Sequence, residues 1–420
     1  MEAVETIIVG GGQAGLATSY YLTQYGREHV VLEQAARPAH VWSDERWDSF
    51  TLVTPNWTFM IPGAVYDGPD ADGYMRRDEI AARFANYVER FRLPVQCNTS
   101  VTAIEPVDGG GYKVQTSSGD MQATNVVIAT GMEQYPKLPP FAGNLSADIT
   151  QLHSSAYRNP DALPPGAVLV VGSAQSGAQI AEELYLSGRE VFLCVGSAGR
   201  APRRYRGQDV FKWLYQIGFF DLTPDKFPFP IDRFSPPHLT GANGGRTLNL
   251  HQFARDGVTL LGHLRSASGD TITLAPDLHE TLQRVDGFEV NARNMIDGFI
   301  KATGRDAPEE ELPQLRDGYD QPIIEDLDLK AAGISTVIWA TGYTFDLGLV
   351  KAPIFNENGF PIQDRGVTRQ PGLAFVGMPW MPSIKPATLT GVAESARHVV
   401  ETIVGARAGE RQEDMAPVSA

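Results

Sequence analysis

Two short glycine-rich stretches carry the chemistry most directly read from this chain. The first, Gly10-Gly11-Gly12-Gln13-Ala14-Gly15, follows the β-branched apolar run Thr6 to Val9 and precedes Leu16 to Leu22, which has helical spacing. A strand entering a helix through such a turn is built to hold an anion. Gly10 permits the tight turn, Gly12 lets the backbone approach a pyrophosphate, and Gly15 allows helix and strand to pack closely. The helix start, with Gln13 and Ala14, then presents free N–H groups and the positive end of the helix dipole to phosphate oxygens. His29 to Leu32 reads as the next strand and ends in Glu33, followed by Gln34. Glu33 lies eighteen residues after Gly15, close to the roughly 20 that places an acid on ribose hydroxyls.

The arrangement returns after Ala167 to Val171 as Gly172-Ser173-Ala174-Gln175-Ser176-Gly177, with a helical run and then the strand Glu190 to Val195. Ala174 takes the place of the middle glycine, and its methyl is the smallest obstruction a side chain can offer. No acid ends this second strand. Arg200, Arg203, Arg204 and Arg206 follow instead. Loss of the acid and gain of arginine favours a 2′-phosphate, hence NADPH over NADH, the plainer alternative being a solvated basic loop. Two nucleotide sites in one chain have a use if one holds a flavin and the other brings a nicotinamide to it.

The elements that must position these turns are legible around them. The 420 residues, 42% of them hydrophobic, are enough for more than one core. A net charge of −15 sets aside a general nucleic-acid binder. Cys97 and Cys194 stand far apart, in no metal or CxxC spacing, so neither a metal site nor a disulfide framework is expected and a reduced, cytoplasmic setting fits. No basic leader precedes the first strand, and no run approaches the roughly 20 apolar residues of a membrane span.

Asp78 to Phe91 reads as a helix, and Val101 to Ile104 and Tyr112 to Thr116 as antiparallel strands. Two further buried strands end in similar turns, Ala129-Thr130-Gly131 and Ala340-Thr341-Gly342-Tyr343. Gly372 to Gly377 reads as a strand and turn, and Gly391 to Ile403 as a helix whose N-terminal end would stabilise negative charge on a reduced flavin. Prolines at 136, 139 and 140 and at 160, 164 and 165 mark linkers. The aromatics Trp213, Tyr215, Phe219, Phe220, Phe227, Phe229 and Phe234 either line a substrate pocket or cover the sheet. The expected fold is α/β, with two Rossmann-like dinucleotide-binding domains. An NADP domain, residues 158–343, is inserted in a discontinuous FAD domain, residues 1–157 and 344–420.

With its doubled fingerprint and paired Ala-Thr-Gly turns, the chain resembles the class B flavoprotein monooxygenases, among them flavin-containing monooxygenases, Baeyer–Villiger enzymes and plant auxin-biosynthetic monooxygenases, with the bacterial CzcO-like branch nearest. Trp42 with Trp47-Asp48-Ser49-Phe50-Thr51-Leu52 resembles the family's W-x-x-YDSL stretch. The resemblance implies FAD and NADPH as cofactors, held by the two glycine turns, Glu33, Gln34, Trp42, Thr130, Gly131, Arg200, Arg203, Arg204, Ala340 to Tyr343 and Gly377.

It also implies a linker fingerprint, F-x-G-x3-H-x3-(Y/W). Phe141-Ala142-Gly143 and His153 to Tyr157 supply its two ends, but nine residues separate Gly143 from His153. His153 is accordingly a candidate to position NADP, with a structural histidine as the other reading. Asn56 is the counterpart of a family asparagine near the flavin, or simply the Asn of a Pro-Asn turn. No residue matches the catalytic arginine of Baeyer–Villiger enzymes, and no cysteine between Ala35 and Thr58 offers a thiol route.

The implied reaction forms a C4a-(hydro)peroxyflavin that oxygenates a small N-, S- or carbonyl-containing substrate. The expected partners are that substrate and O2, with a homodimer as the oligomeric expectation. Two alternatives stay open: a flavin reductase or oxidase passing electrons to quinone, protein or O2, and a flavin-bound regulatory protein with little turnover.

Overall fold

β-Branched runs that enter helices through glycine turns bury both faces of their strands, and parallel sheets result. The computed structural model describes residues 2–228 and 236–413, with side chains to residue 405. Phe229 and Phe234 lie outside the described residues. Along the chain, Glu2–Val9 (β1), Gln13–Gln24 (α1) and His29–Leu32 (β2) form one β-α-β unit, which Gly119–Ile128 (β3) follows. Ala167–Val171 (β4), Gln175–Leu186 (α2) and Val191–Cys194 (β5) form a second, which Ile334–Trp339 (β6) follows. Leu373–Phe375 (β7) and the helix Val392–Glu413 (α3) come last.

The first sheet has β1 at its centre, pairing parallel with β2 on one side and β3 on the other, so that Ile7 lies opposite Val30 and Val126. β7 pairs parallel with β3, and the antiparallel strands Val101–Pro106 and Tyr112–Thr116 extend from β3. The second sheet is parallel throughout, in the order Thr150–His153, β6, β4, β5, Thr259–Leu261. The strands of the first sheet thus come from residues 2–128 and 363–375, and those of the second from residues 150–339. Because Thr150–His153 pairs with β6, the chain first crosses between sheets before residue 150, earlier than the boundary at 157 expected from the prolines.

One apolar cluster runs through both halves, joining Leu16 and Ala17 of α1 and Ala396 and Val399 of α3 to Val168 and Val170 of β4 and Ala178 of α2. A helix that the sequence reading passed over, Leu278–Thr303, is 26 residues long and buries Leu278, Leu282, Val285, Ala292, Ile296 and Ile300. These positions recur at three-, four- and seven-residue steps on one face.

Candidate functional site

The two glycine turns have the same geometry, and each is shaped by its Ala-Thr-Gly partner. Gly10 has φ +107° and Gly172 φ +102°. A Cβ on Gly10 would lie 2.6 Å from the Ala129 carbonyl oxygen, and one on Gly172 would lie 2.6 Å from that of Ala340. The amides of Ala129 and Ala340 in turn donate to the carbonyls of Val9 and Val171. Gly15 and Gly177 each face the carbonyl of the turn's first glycine, where a Cβ would stand at 1.9 Å. Only glycine lets helix and strand approach so closely.

Gly12 and Ala174 are the N-caps, with φ/ψ of −79°/−172° and −71°/−167°. Neither helix start has a side-chain cap, so its first N–H groups face outward for an anion. A Cβ on Gly12 would meet nothing within 4 Å. That open cradle above an uncapped helix fits a dinucleotide pyrophosphate. At the end of β2, the Glu33 carboxylate is 4% exposed and accepts from Gly11 N at 2.7 Å and Ala35 N at 2.8 Å. A carboxylate has about four lone-pair sites, so acceptor capacity is left for ribose hydroxyls. Gln34 beside it is exposed. In the second turn Ser173 replaces the acid's tie, its buried hydroxyl accepting from Gly196 N at 2.9 Å.

Each turn is also anchored by its glutamine. Gln13 Nε2 donates to Ala387 O at 3.0 Å, and Gln175 Nε2 donates to Leu239 O. Ser176 is partly exposed on the first turn of α2. Gly377 follows β7 so closely that a Cβ there would meet Ala14 Cβ at 2.4 Å. Trp42, half-buried, stacks on Phe84. Thr130 Oγ1 and Gly131 O both accept from Gln134 Nε2, and Thr341 Oγ1 donates to Lys137 O.

His153 is 7% exposed, with Nδ1 at 3.0 Å from Ser155 Oγ, Nε2 at 3.0 Å from Gly342 O, and its ring edge-on to Tyr343. It ties Thr150–His153 to the Gly342 turn. Asn56 is equally committed: Nδ2 donates to Asp70 O at 2.9 Å and Oδ1 accepts from Met75 N at 2.6 Å. The geometry gives these two residues backbone-holding roles.

The arginines divide. The Arg200 guanidinium pairs with Asp286 at 2.8 Å and with Glu289, while Arg203 pairs with Asp209 at 2.5 Å. Both side chains are buried, so neither is free to take a 2′-phosphate. Arg204 is exposed. The sequence showed the run of cations but not the carboxylates that would fold against them. Asp286 and Glu289 lie on the unforeseen helix.

Burial, together with the charge of Arg200, lowers the pKa of His238 to about 3. Its unfolded value lies near 6.5, so the unfolded chain takes up the proton first. Stability from this group is complete above about pH 6.5 and declines below it, by up to about 1.4 kcal/mol per pH unit. His238→Leu is expected to shrink the drop in urea midpoint between pH 7 and pH 5. An unchanged drop would place the acid sensitivity elsewhere, for instance at His29 or His153, whose pKa values burial also lowers.

The aromatics form a seam rather than a lining of the second sheet. Trp57 meets Tyr215, Tyr215 meets Phe220, Phe220 meets Phe219, Phe219 meets Phe227 and Phe227 meets Trp380. Trp213 is core, its Nε1 donating to Tyr205 O at 2.7 Å.

Comparison with known proteins follows the same lines. The pyridine nucleotide-disulphide oxidoreductase family matches residues 7–214. The chain is 32% identical to the uncharacterized oxidoreductase CzcO-like of Geobacillus kaustophilus over 403 residues, 96% of this chain and 98% of that one. The chain belongs to the class B flavoprotein monooxygenase family, in its CzcO-like branch. This class B chain is also 28% identical over 216 residues to the indole-3-pyruvate monooxygenase YUCCA8 of Oryza sativa subsp. indica, covering 49% of this chain and 51% of that one. A flavin-containing monooxygenase from Stenotrophomonas maltophilia shares its fold, with a TM-score of 0.64 at 21% identity over 96% of this chain and 99% of that one. Cys97 is partly exposed beyond β2's edge of the first sheet, whereas Cys194 is buried in β5 of the second. The described residues therefore hold no thiol pair. They also include no metal-binding cluster and no helix long and apolar enough to cross a membrane.

Proposed function

We propose that this chain is an FAD-dependent, NADPH-using monooxygenase that transfers one oxygen atom of O2 to a small substrate with a soft N or S, or a carbonyl group. The observation that carries the reading is the duplicated, uncapped glycine turn, open at Gly12, in a chain with one cysteine beyond the edge of the first sheet and the other inside the second. A flavin held there would supply the two-electron chemistry between reduced nicotinamide and O2 that sends one oxygen atom to substrate and the other to water.

The residues' share is binding and positioning. The N–H groups at the start of α1 hold the flavin's pyrophosphate, Glu33 its ribose, and the turn at Gly377 closes on Ala14. The start of α2, with Ser173, Gln175 and Ser176, holds the nicotinamide's pyrophosphate, and Arg204 its 2′-phosphate. His153 is a positioning residue: it fixes the Gly342 turn against the strand Thr150–His153. The first sheet and its covering helices form the FAD domain, and the second sheet the inserted NADP domain.

The test is product formation. Holoprotein supplied with NADPH and 18O-labelled O2 is expected to place label in an amine or sulfide of a screened panel. Release of all the O2 as hydrogen peroxide across the panel would favour the oxidase. No NADPH-dependent bleaching of the flavin would favour a regulatory flavoprotein. For the coenzyme, Arg204→Ala is expected to raise the KM for NADPH about tenfold and leave that for NADH unchanged, since only the former carries the extra phosphate. Equal effects on both would remove Arg204 from the phosphate site.

A further inference from the structure

Behind the second glycine turn, a cavity of about 360 Å3 opens between the two halves of the molecule. Ser49, Thr51 and Arg76 line it from the first half, and Glu182, Glu183 and Arg246 from the second. Glu182 lies seven residues beyond Gln175, about 10 Å down the helix. The cavity's carboxylate wall therefore lies along α2, beyond the pyrophosphate position at the start of that helix. Its volume is at the low end for ligand pockets, which restricts it to a small molecule.

The lining carries two cations and two anions, and its polar groups are unevenly satisfied. Glu183 is hydrogen-bonded on both oxygens: Oε1 accepts from Ser49 Oγ at 2.5 Å and Oε2 from Tyr157 at 2.8 Å. Glu182 is not. Its side chain is 8% exposed, and its one ion-pair contact, Arg246 Nε at 3.1 Å, is too poorly aligned for that N–H to count as hydrogen-bonded. Burial raises the Glu182 pKa, with Arg246 acting in the opposite sense. The Thr51 hydroxyl is buried with no hydrogen-bond partner among the described residues. Arg76 is exposed and pairs with no described carboxylate. A buried carboxylate held by one ion pair and an exposed guanidinium with no described carboxylate flank one small cavity, and each has bonding capacity left for a ligand.

We propose that this cavity binds a small zwitterion of the α-amino-acid class, its ammonium group on Glu182 and its carboxylate on Arg76. Such a ligand would bridge the 47–51 segment to α2 and so link the two halves. A plain anion would face Glu182, and a plain cation would leave Arg76 unused.

The experiment is calorimetric titration of the flavin-loaded protein with glycine, L-methionine and L-lysine, with methylamine and acetate as half-ligands. At least one amino acid is expected to bind, with each half-ligand at least about tenfold weaker. Glu182→Gln and Arg76→Ala should each weaken binding at least about tenfold, with flavin content unchanged. Arg76 is at the surface, so its variant tests the site even if the Glu182 variant folds poorly. No heat from any amino acid at millimolar concentration, or binding indifferent to Arg76→Ala, would overturn the proposal.

Discussion

Gly12→Val is expected to yield a folded protein that purifies without flavin. The backbone at Gly12 is extended, with φ −79° and ψ −172°, a region a β-branched residue adopts freely. No heavy atom lies within 4 Å of a Cβ there. Ala174 occupies the matching position of the second turn with nearly the same angles, so the fold tolerates a side chain at this N-cap. The thermal midpoint of the flavin-free form should stay within the small range set by an N-cap change, less than about 1 kcal/mol. Flavin content should fall to the detection limit, because the isopropyl group fills the pyrophosphate's approach. Gly15→Ala is the contrasting variant. Its methyl would stand 1.9 Å from Gly10 O, which parts α1 from β1 and costs more than about 4 kcal/mol. Visible absorbance and circular dichroism separate the two outcomes. Full flavin content in Gly12→Val would mean that the dinucleotide does not cross this turn.

The second large effect is expected at Arg203. Its guanidinium is 2% exposed, bonds Asp209 through Nε and Nη2, and donates from Nη1 to Val53 O at 2.6 Å. Tyr74 donates to the same carboxylate at 2.7 Å, and the guanidinium lies 4.4 Å from the centre of its ring. Asp209 also caps the helix Val210–Ile217 through Phe211 N. Arg203→Met leaves that carboxylate buried without its cation and is expected to cost about 3–5 kcal/mol, read as a fall in denaturant midpoint. Adding Asp209→Asn should recover part of the loss, since an amide keeps the cap and carries no charge. Arg204→Ala, one residue along and exposed, should leave the midpoint unchanged. Equal stability of Arg203→Met and the unaltered chain would show that this ion pair contributes little.

What the sequence made legible was local. Gly10, Gly15, Gly172 and Gly177 declare themselves because each turn needs a backbone that only glycine supplies, and those needs sit next to the strands and helices that impose them. Asp78 to Phe91 and the Ala-Thr-Gly turns were readable for the same reason. The long helix at Leu278–Thr303 was missed although its buried residues are regularly spaced, because charged residues interrupt the run on every turn. The arginines were half legible. Their number after β5 was plain, but whether each meets phosphate or carboxylate depends on Asp209, Asp286 and Glu289, and two of those three come from a distant helix. Asn56 and His153 stand near positions of a family pattern without keeping its spacing, and their hydrogen bonds to backbone at Asp70, Met75 and Gly342 are contacts that no spacing rule reveals. The cavity behind α2 was not legible at all, since its walls come from segments more than a hundred residues apart.

On the ribosome the two sheets are completed in the reverse of the order in which they begin. Every strand of the inner sheet has been made once Trp339 is added. The outer sheet, started by the first nine residues, still has the end of β3, Val126 to Ile128, unpaired along one edge until β7 arrives, and α1 lacks the cover of α3. For most of translation the nascent chain therefore carries an open, apolar sheet edge of the kind that pairs wrongly with other chains. Cells producing a message truncated between residues 340 and 370 would accumulate a protein with a finished second half and an adhesive first half, so chaperone demand should rise sharply for stops in that interval.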